Sequence, residues 1–404
     1  MIAQKSFVAM PDGSYGFVRN SYANEQHYVF GRYTSGAGVK YWSSAQLREI
    51  ELTREVLKFA LPEALTWHES LSGSHSGTDP EIFAELNGMP VPAWKWLGPE
   101  TEALAIPRGD DVYGCNPTAK AYWDGAQAEL STSGKQRCHV LAIEEVQWGL
   151  KQIYNALQRK FPAAQLVCRD VVRLTDEDLA TGPEEALAFG CMPSFNAYGI
   201  PRVEIGDSRA EPLRFSGCHI HESIPLASIG SAPAWFPDGV AVMMDKTLGI
   251  LLTALGRDLE DPIRRRYYGR PGEYRLPQRA DLLSLEYRTP GSFLLSHPAL
   301  MNFAFDAARR AFKLGMFLDG RLLDIPDVKD IILACDADAA LKVISEHKQI
   351  FEKFLPYLSA LKAVTLGAKK FLSQNVAESW GLDGTWRPYN NAGYASWSQV
   401  TSNL

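Results

Sequence analysis

The chain has 404 residues with 46% hydrophobic content, enough to bury one large core or two smaller ones. Its formal net charge is −6 and its basic residues are mostly dispersed, which argues against a general nucleic-acid-binding protein. Its six cysteines lack CxxC spacing, which argues against a disulfide framework or a structural zinc site and suits a reducing compartment.

The pattern of apolar residues gives no sign of a targeting or membrane segment. The N-terminus lacks the basic-then-apolar order of a secretion signal. The most apolar stretch, residues 240–255, is interrupted by Asp245 and Lys246 and therefore predicts a buried helix rather than a membrane span. We expect a soluble, cytoplasmic protein without a membrane partner.

The first part of the chain predicts short strands and one helix. Two strand-like runs and one helical pattern cover residues 15–18, 27–33 and 46–60. A β-hairpin is expected from residues 81–86 and 89–94, because the dipeptide Asn87-Gly88 between them is a strong turn signal.

Helical patterns dominate the later part. The predicted helices cover residues 143–161, 238–256, 297–315 and 336–361. A strand is expected over residues 163–174, and Thr175 is suited to cap a helix or helical loop over residues 175–189. The last ~30 residues, rich in Trp, Asn, Ser and Gly, predict an irregular tail. Because strands and helices do not alternate, the pattern predicts an α+β fold whose antiparallel or mixed sheet carries helices on one side.

A histidine pair is the most informative motif. The segment FSGCHIHES at residues 215–223 places His219 and His221 two positions apart, so both point to the same face of a strand. Gly217 just before them allows a ligand or another strand to approach the backbone closely. Such pairs also occur as hydrogen-bonded polar positions without a function, so the motif gains meaning from the acidic segments that accompany it.

The first acidic segment lies ahead of the predicted hairpin. In GTDPEIF at residues 77–83, Asp79 and Glu81 share one face if the chain is extended. The alternative is a turn in which Asp79 caps a helix that begins at Pro80. The hairpin that follows favours the strand.

Two further segments place acids among apolar residues. In WDGAQAEL at residues 123–130, Asp124 precedes a glycine, and Glu129 follows in a strand-like run. Carboxylates in such a stretch are costly to bury unless they bind cations or form pairs. Glu286 and Arg288 also share a strand face, for which an ordinary surface ion pair is the alternative.

A basic cluster departs from the otherwise dispersed charge. Residues 264–275 read RRRYYGRPGEYR, with glycines and aromatic residues between the arginines. This composition indicates a structured loop that presents guanidinium groups to a polyanion, since their planar donors match phosphate oxygens. The alternative is a solvated helix face.

The combined motifs favour phosphate chemistry at a divalent cation site. Carboxylates with a histidine suit Mg²⁺ or Mn²⁺, and arginines neutralise charge that develops on a transferred phosphoryl group. This combination predicts ATP-dependent activation of a carboxylate. The chain has no Walker-type glycine loop, which argues against a P-loop site.

The ordered set of motifs resembles the glutamine synthetase and glutamate–cysteine ligase superfamily, and within it the phage-associated carboxylate–amine ligases of type 2. Residues 216–223 resemble the Ser-Gly-x-His-x-His motif of glutamine synthetases. The resemblance implies that His219 binds a metal ion and that His221 contacts the nucleotide. The acidic residues it implies as further metal ligands are Asp79, Glu81, Asp124, Glu129 and Glu286.

The same resemblance assigns roles to four arginines. It implies that Arg288, in the Glu-x-Arg pair, stabilises an acyl-phosphate. It implies that Arg266, Arg270 and Arg275 contact the nucleotide phosphates, and that Arg270 and Arg275 also take part in catalysis. The implied cofactors are ATP and Mg²⁺ or Mn²⁺.

The resemblance covers roughly residues 75–300 and implies a curved antiparallel sheet that forms a half-barrel flanked by helices. Residues 71–320 would then form the catalytic domain. Residues 1–70 would be an N-terminal extension of uncertain role, and residues 321–404 a helical C-terminal region with its tail. A phage origin, and hence the host cytoplasm, is suggested only by this resemblance.

The activity implied is amide-bond formation by a carboxylate–amine ligase through an acyl-phosphate. Alternatives are a guanidino-type phosphotransferase on the same fold, a metal-dependent hydrolase or nuclease, and a non-catalytic protein that binds metal or nucleotide. The sequence leaves open the small-molecule or peptide substrates, a homo-oligomeric state, and the general base, for which Asp79 and Glu222 are candidates.

Overall fold

The computed structural model describes residues 6–33, 36–106, 119–134, 139–188, 194–201, 203, 207–257, 259–277, 281–354 and 375–382. These residues form a mixed α+β fold, which confirms the predicted class. Every strand pair among them is antiparallel. No helix in these ranges combines the length and apolar character needed to cross a membrane.

The N-terminal region folds as a five-stranded sheet with strand order β4-β3-β2-β1-β5. Its strands are β1 (Phe7–Ala9), β2 (Tyr15–Ser21), β3 (Gln26–Tyr33), β4 (Gly36–Ser43) and β5 (Arg48–Ile50). The predicted strands at residues 15–18 and 27–33 lie within β2 and β3. The helix expected over residues 46–60 instead begins at Arg54, where Thr53 caps it by accepting a hydrogen bond from the Val56 N–H.

Both faces of this sheet carry buried residues. Val8, Val18 and Val29 form a small core of their own with Met10 and Leu47. On the other face, phenylalanines including Phe7 and Phe17 join the main core of the molecule. The sheet therefore packs as part of the whole fold.

A second, ten-stranded sheet forms the centre of the described chain. Its main path runs β13-β16-β17-β15-β6-β10-β9-β8, and β7 and β11 pair with β6 off this path. Its strands are β6 (His75–Leu86), β7 (Met89–Pro90), β8 (Leu104–Ile106), β9 (Ala119–Asp124), β10 (Gln127–Ser131), β11 (Gln165–Val167), β13 (Phe195–Asn196), β15 (Cys218–Pro225), β16 (Glu273–Arg275) and β17 (Leu282–Tyr287). β12 (Val171–Arg173) and β14 (Leu213–Phe215) form a separate pair.

The predicted hairpin is present. Leu86 pairs with Met89, and both turn residues have positive φ, at 53° for Asn87 and 79° for Gly88. Asn-Gly is preferred in two-residue turns because both positions need this backbone region. β6 is longer than expected and begins at His75, so Asp79 and Glu81 lie in a strand rather than at a helix start.

Helices pack against both sheets and against one another. They are α1 (Arg54–Ala64), α2 (His139–Lys160), α3 (Asp176–Thr181), α4 (Glu184–Leu187), α5 (Leu226–Ile229), α6 (Asp238–Met244), α7 (Ile250–Leu255), α8 (Arg264–Tyr267), α9 (Pro298–Gly315), α10 (Val328–Leu333), α11 (Ala337–Glu346), α12 (Lys348–Phe354) and α13 (Val376–Ser379). A π-helical turn, Asp245–Gly249, joins α6 to α7. α6 packs along α9, and α9 also contacts β15 and α2.

Most predicted helices match the structure, with informative differences. The helix expected over residues 143–161 is α2, and Thr175 caps α3 with a capping box to Asp178. The strand expected over residues 163–174 is two short strands, β11 and β12, which join different sheets. The helix expected over residues 336–361 is α11 followed by α12, and its end lies outside the described residues. The first residues of the predicted irregular tail form α13 instead, and the tail from residue 383 lies outside the described residues.

Candidate functional site

Four neighbouring strands bring the acidic and histidine motifs together. Along β6, β15, β17 and β10, alternate residues face the same side of the sheet. The register pairs His219 with Asp79, and Glu129 with Glu81. Glu286 of β17 lies opposite His221. The motifs are far apart in sequence, and this register places them on one face.

One group of ligand atoms lies at the junction of β6, β15 and β17. Asp79, His221 and Glu286 each offer an atom within 4.8 Å of the others. His221 Nε2 lies 3.2 Å from Asp79 Oδ1 and 4.0 Å from Glu286 Oε2. The Nδ1 of buried His219 is 3.0 Å from Asp79 Oδ1 and 3.6 Å from Glu286 Oε1. His219 therefore borders this group, and His221, which the resemblance assigned to the nucleotide, belongs to it.

A second group of carboxylates lies beside the first. Glu81, Asp124 and Glu129 have carboxylate oxygens within 4.8 Å of one another. Asp124 is the last residue of β9, and a tight turn at Gly125, with φ of 67°, leads into β10. Tyr122 donates a hydrogen bond of 2.6 Å to Glu129 Oε1. The turn explains how Asp124 reaches Glu129 despite the short spacing between them.

The carboxyl groups of the second group repel one another in a buried setting. Burial and the charge of Asp124 raise the pKa of Glu81 to about 8. Burial, followed by the charge of Asp79, raises the pKa of Glu129 well above its usual value. Burial likewise raises the pKa of Asp124. A divalent cation among these oxygens would offset both effects.

Asp79 behaves in the opposite way. Burial raises its pKa, but the neighbouring His221 and His219 outweigh burial and hold the pKa of Asp79 well below its usual range. Asp79 is thus favoured as a carboxylate between two imidazoles, which suits a ligand to a cation. Glu222, the other candidate general base, is fully buried, and its Oε1 accepts a hydrogen bond from Ser76.

Two arginines line the same cleft as the acids. The cleft has a volume of about 700 Å³. Its walls are formed by Asp79, Glu81, Pro99, Glu100, Thr101, Tyr122, Trp123, Asp124, Glu129, Glu185, His219, Arg275 and Arg288. Arg275 Nη1 lies 3.7 Å from Glu286 Oε1, and Arg288 forms an ion pair with the same oxygen. Positive groups therefore border the carboxylates where a phosphate could approach.

The other arginines of the basic cluster lie elsewhere. Arg270 is buried and donates hydrogen bonds to Glu273 and to the Ile200 carbonyl. Arg266 is exposed on α8. Neither belongs to the cleft walls. Arg264 and Arg265 are buried and donate to backbone carbonyls, including that of Thr289. Part of the cluster thus braces the loops around the site rather than facing a polyanion.

Several residues of the site carried no sequence signal. Tyr268 lies within the basic cluster, yet its hydroxyl lies 2.6 Å from Glu81 Oε1 and from His219 Nε2. Glu100 and Glu185 line the cleft from a short 3₁₀ helix and from α4, outside any motif. Only the three-dimensional packing reveals them.

Gly217 has a role beyond the one expected. Its N–H donates a hydrogen bond of 2.6 Å to Glu81 Oε2. A Cβ at this position would lie 2.8 Å from Arg264 Nη2, 2.9 Å from His219 Nε2 and 3.0 Å from Tyr268 Cε1. Side chains of the site, rather than a ligand or another strand, therefore fill the space beside this glycine.

The donor chemistry fits hard divalent cations. Carboxylate oxygens make up the second group, and the first combines two carboxylates with imidazole nitrogen. Mg²⁺ and Mn²⁺ prefer oxygen-rich sets of this kind, and Mn²⁺ also accepts imidazole. No protein-family model matches the chain, and no curated protein matches it.

Proposed function

We propose that the protein is an ATP-dependent carboxylate–amine ligase with Mg²⁺ or Mn²⁺ at the two acidic groups. The observation that carries this proposal is one cleft lined by the second acidic group, by Asp79 of the first group, and by Arg275 and Arg288. Paired cation sites beside guanidinium groups suit the transfer of a phosphoryl group. The order of the motifs along the chain supports a ligase of the glutamine synthetase type, and with it a half-barrel form of the large sheet.

In the proposed reaction, a substrate carboxylate attacks the γ-phosphate of ATP to give an acyl-phosphate and ADP. An amine then attacks the acyl carbon, which forms an amide and releases phosphate. The divalent cations would neutralise phosphate charge while bound. Arg288, held by Glu286, is positioned to stabilise charge on the transferred group, and Arg275 to bind nucleotide phosphate.

Exposed groups at the mouth of the cleft are available to the substrates. Glu100 is exposed, and Trp123 is half-buried beside it in the cleft wall. Arg266 and Arg270 lie outside these walls, so the proposed phosphate contacts are limited to Arg275 and Arg288.

The test is phosphate release from ATP with Mg²⁺ or Mn²⁺, screened over pools of amino acids, peptides and amines. Products are identified by mass spectrometry. We expect ADP formation that depends on both substrates, and a product lighter than their sum by one water. Arg288→Ala and Glu129→Ala should abolish it, whereas Arg266→Ala, outside the cleft, should retain it.

The product identifies the reaction class. A phosphorylated small molecule without condensation would replace the ligase proposal with a phosphotransferase. Absence of ATP turnover across the screen, together with absence of cation binding by calorimetry, would contradict an enzyme at this site.

A further inference from the structure

The regular pairing between β15 and β17 stops just before two residues of the site. The ladder between these strands ends where Ile220 lies opposite Tyr287. His219 lies one position beyond this end on β15, and Arg288 one position beyond it after β17. The relative position of the two strand ends therefore depends on other contacts.

Arg264 supplies such contacts. It is the first residue of α8 and is fully buried. Its Nε donates to the Ser216 carbonyl, its Nη1 to the Thr289 carbonyl at 3.0 Å, and its Nη2 to the Pro290 carbonyl at 2.9 Å. Ser216 lies just ahead of β15, and the other two residues directly follow Arg288. One guanidinium group thus joins the backbone at both strand ends.

This connection suits arginine in particular. The donors of a guanidinium group are fixed in a planar fork and can reach several carbonyls at once, whereas the ammonium of lysine is a compact point charge. Two glycines leave room for the group. A Cβ at Gly217 would lie 2.8 Å from Arg264 Nη2, and a Cβ at Gly269 would overlap the same guanidinium.

The neighbouring Arg265 makes a different connection. It also donates to the Thr289 carbonyl, but it donates as well to the carbonyl of Gly269, in the loop after α8. Its charge is paired with that of Glu260. Arg265 therefore braces this loop against the end of β17, whereas Arg264 joins the end of β17 to the start of β15.

Arg288 takes its place in the cleft from the segment that Arg264 holds. Its main-chain N–H donates to the Glu273 carbonyl at 3.0 Å, and its side chain lines the cleft. The guanidinium carbons of Arg264 and Arg288 lie 5.0 and 5.2 Å from the ring centroid of Tyr268. A shift of the backbone after Arg288 would move its guanidinium group relative to the carboxylates of the cleft.

We infer that Arg264 is a positioning residue that holds Arg288 where it can stabilise the transferred phosphoryl group. The role of Arg288 in this inference rests on the proposed function, whereas the backbone connection does not. Because Arg288 is proposed to act on charge that develops during transfer, its displacement should slow the reaction without weakening the binding of ATP.

The first test is the kinetics of Arg264→Lys, which keeps the charge but removes the planar fork. We expect kcat to fall about 10- to 100-fold, with the KM for ATP within about 2-fold of the wild-type value. The measurement is made well below the melting temperature of the variant. A rise in the KM for ATP at unchanged kcat would overturn the inference.

The same substitution at another buried arginine is the matched control. Arg214 is 4% exposed and donates to main-chain carbonyls, including those of Ser208 and Leu187. Arg214→Lys should lower the melting temperature but leave kcat unchanged. Equal losses of kcat in the two lysine variants would mean that Arg264 acts only through stability and would overturn the inference.

The second test measures the backbone connection directly by amide hydrogen exchange. The N–H groups of Cys218, bonded to Pro290, and of Arg288, bonded to Glu273, lie outside the β15–β17 ladder. In the unmodified protein they should exchange within about 10-fold of the ladder amides, and in Arg264→Lys at least about 10-fold faster than these.

Faster exchange of these two amides in the unmodified protein would overturn the inference even if Arg264→Lys did not fold. The exchange measurement includes neither ATP nor an amine. An unmodified protein without ATP turnover would therefore contradict the proposed function, while the exchange rates still decide whether Arg264 holds the segment that carries Arg288.

Discussion

At the scale of single residues, the cleft holds charged groups in an arrangement that is unfavourable without a ligand. Three carboxylates converge, and burial raises the pKa values of all three. Folding alone gives no reason to retain such a group, since a buried charge without a counter-ion is destabilising. The proposed cation-binding role would account for the arrangement. Loss of one carboxylate would then stabilise the metal-free protein but weaken its binding of a cation.

Glu129→Gln separates these two effects. The amide keeps the shape of the side chain and is neutral without taking up a proton, so we expect the metal-free protein to melt at a higher temperature. The rise in melting temperature on addition of Mg²⁺ should shrink or vanish, because the cation loses a ligand. Thermal unfolding with EDTA and with Mg²⁺ measures both.

A matched control lies on the same sheet outside the cleft. Glu85 belongs to β6 and pairs with Arg169 at 2.9 Å. Glu85→Gln should leave the Mg²⁺-dependent rise unchanged. If Glu129→Gln responds to Mg²⁺ as the wild type does, the second group does not hold a cation.

Much of the site at this scale was predictable, because alternation along a strand determines which residues share a face. Asp79 with Glu81, and His219 with His221, follow from this rule. The contribution of Tyr268 does not, since it depends on how the loop after α8 folds back onto β6 and β15. The burial of Arg270 also depends on contacts between distant segments. Its partner Glu273 lies only three residues later, but the Ile200 carbonyl that also accepts a hydrogen bond from Arg270 comes from a distant part of the chain.

At the scale of elements, the order of the strands in the sheet determines which motifs meet. Alternation of residues along one strand does not predict that order. Each motif predicts its own strand, yet β6 lies between β15 and β10, which follow it in the sequence at very different distances. Such non-local pairing leaves no periodic pattern in a single sequence. The split of residues 163–174 into β11 and β12 also reflects pairing with different partners rather than local propensity.

The helical layer contacts the opposite face of the same strands. The π-helical turn between α6 and α7 brings buried Asp245 to Tyr287 of β17, whose hydroxyl donates to Asp245 Oδ1 at 2.5 Å. Tyr274 of β16, paired with Tyr287, donates to Asp238 of the same helix. Two tyrosine–aspartate bonds thus tie α6 and the π turn to the strands that carry Glu286 and Arg275.

Asp245 predicts a pH dependence of stability. Burial raises its pKa from 3.8 to about 7. A group whose pKa is higher in the folded state stabilises the fold at pH values below its unfolded pKa, and this contribution is lost as pH rises through the folded pKa. The free energy of unfolding should therefore lose the contribution of Asp245 between pH 4 and pH 7, with a slope of at most about 1.4 kcal/mol per pH unit.

Asp245→Asn should therefore flatten the decline in the free energy of unfolding between pH 5 and pH 7. Urea unfolding of both proteins at several pH values measures it, and Asp238→Asn controls for loss of a tyrosine–aspartate bond on the same helix. Parallel curves for wild type and Asp245→Asn would contradict the prediction.

At the scale of the whole molecule, the N-terminal sheet is part of the main core. Phe17 and Phe317 meet with ring centroids 4.3 Å apart and planes at 71°. Phe17 also contacts fully buried Trp67, at a centroid distance of 5.8 Å. The sequence predicted two of its strands but not this packing, because the contacting residues lie some 300 positions apart and share no pattern. The segment that directly follows α9 therefore also supports the first strands of the chain.

This packing predicts energetic coupling between the N-terminal sheet and the segment that follows α9. Phe17→Ala and Phe317→Ala should each cost about 3–5 kcal/mol in the free energy of unfolding. The double variant should lose less than the sum, by about 0.5–1.5 kcal/mol, because an edge-to-face aromatic pair is removed only once. Val18 provides the control, since it belongs to the small separate core of the sheet. Val18→Ala with Phe317→Ala should be additive. Additive losses for the Phe17–Phe317 pair would mean that the N-terminal sheet is not energetically coupled to the segment after α9. Non-additive losses would mean that the first strands and the large sheet unfold as one cooperative unit.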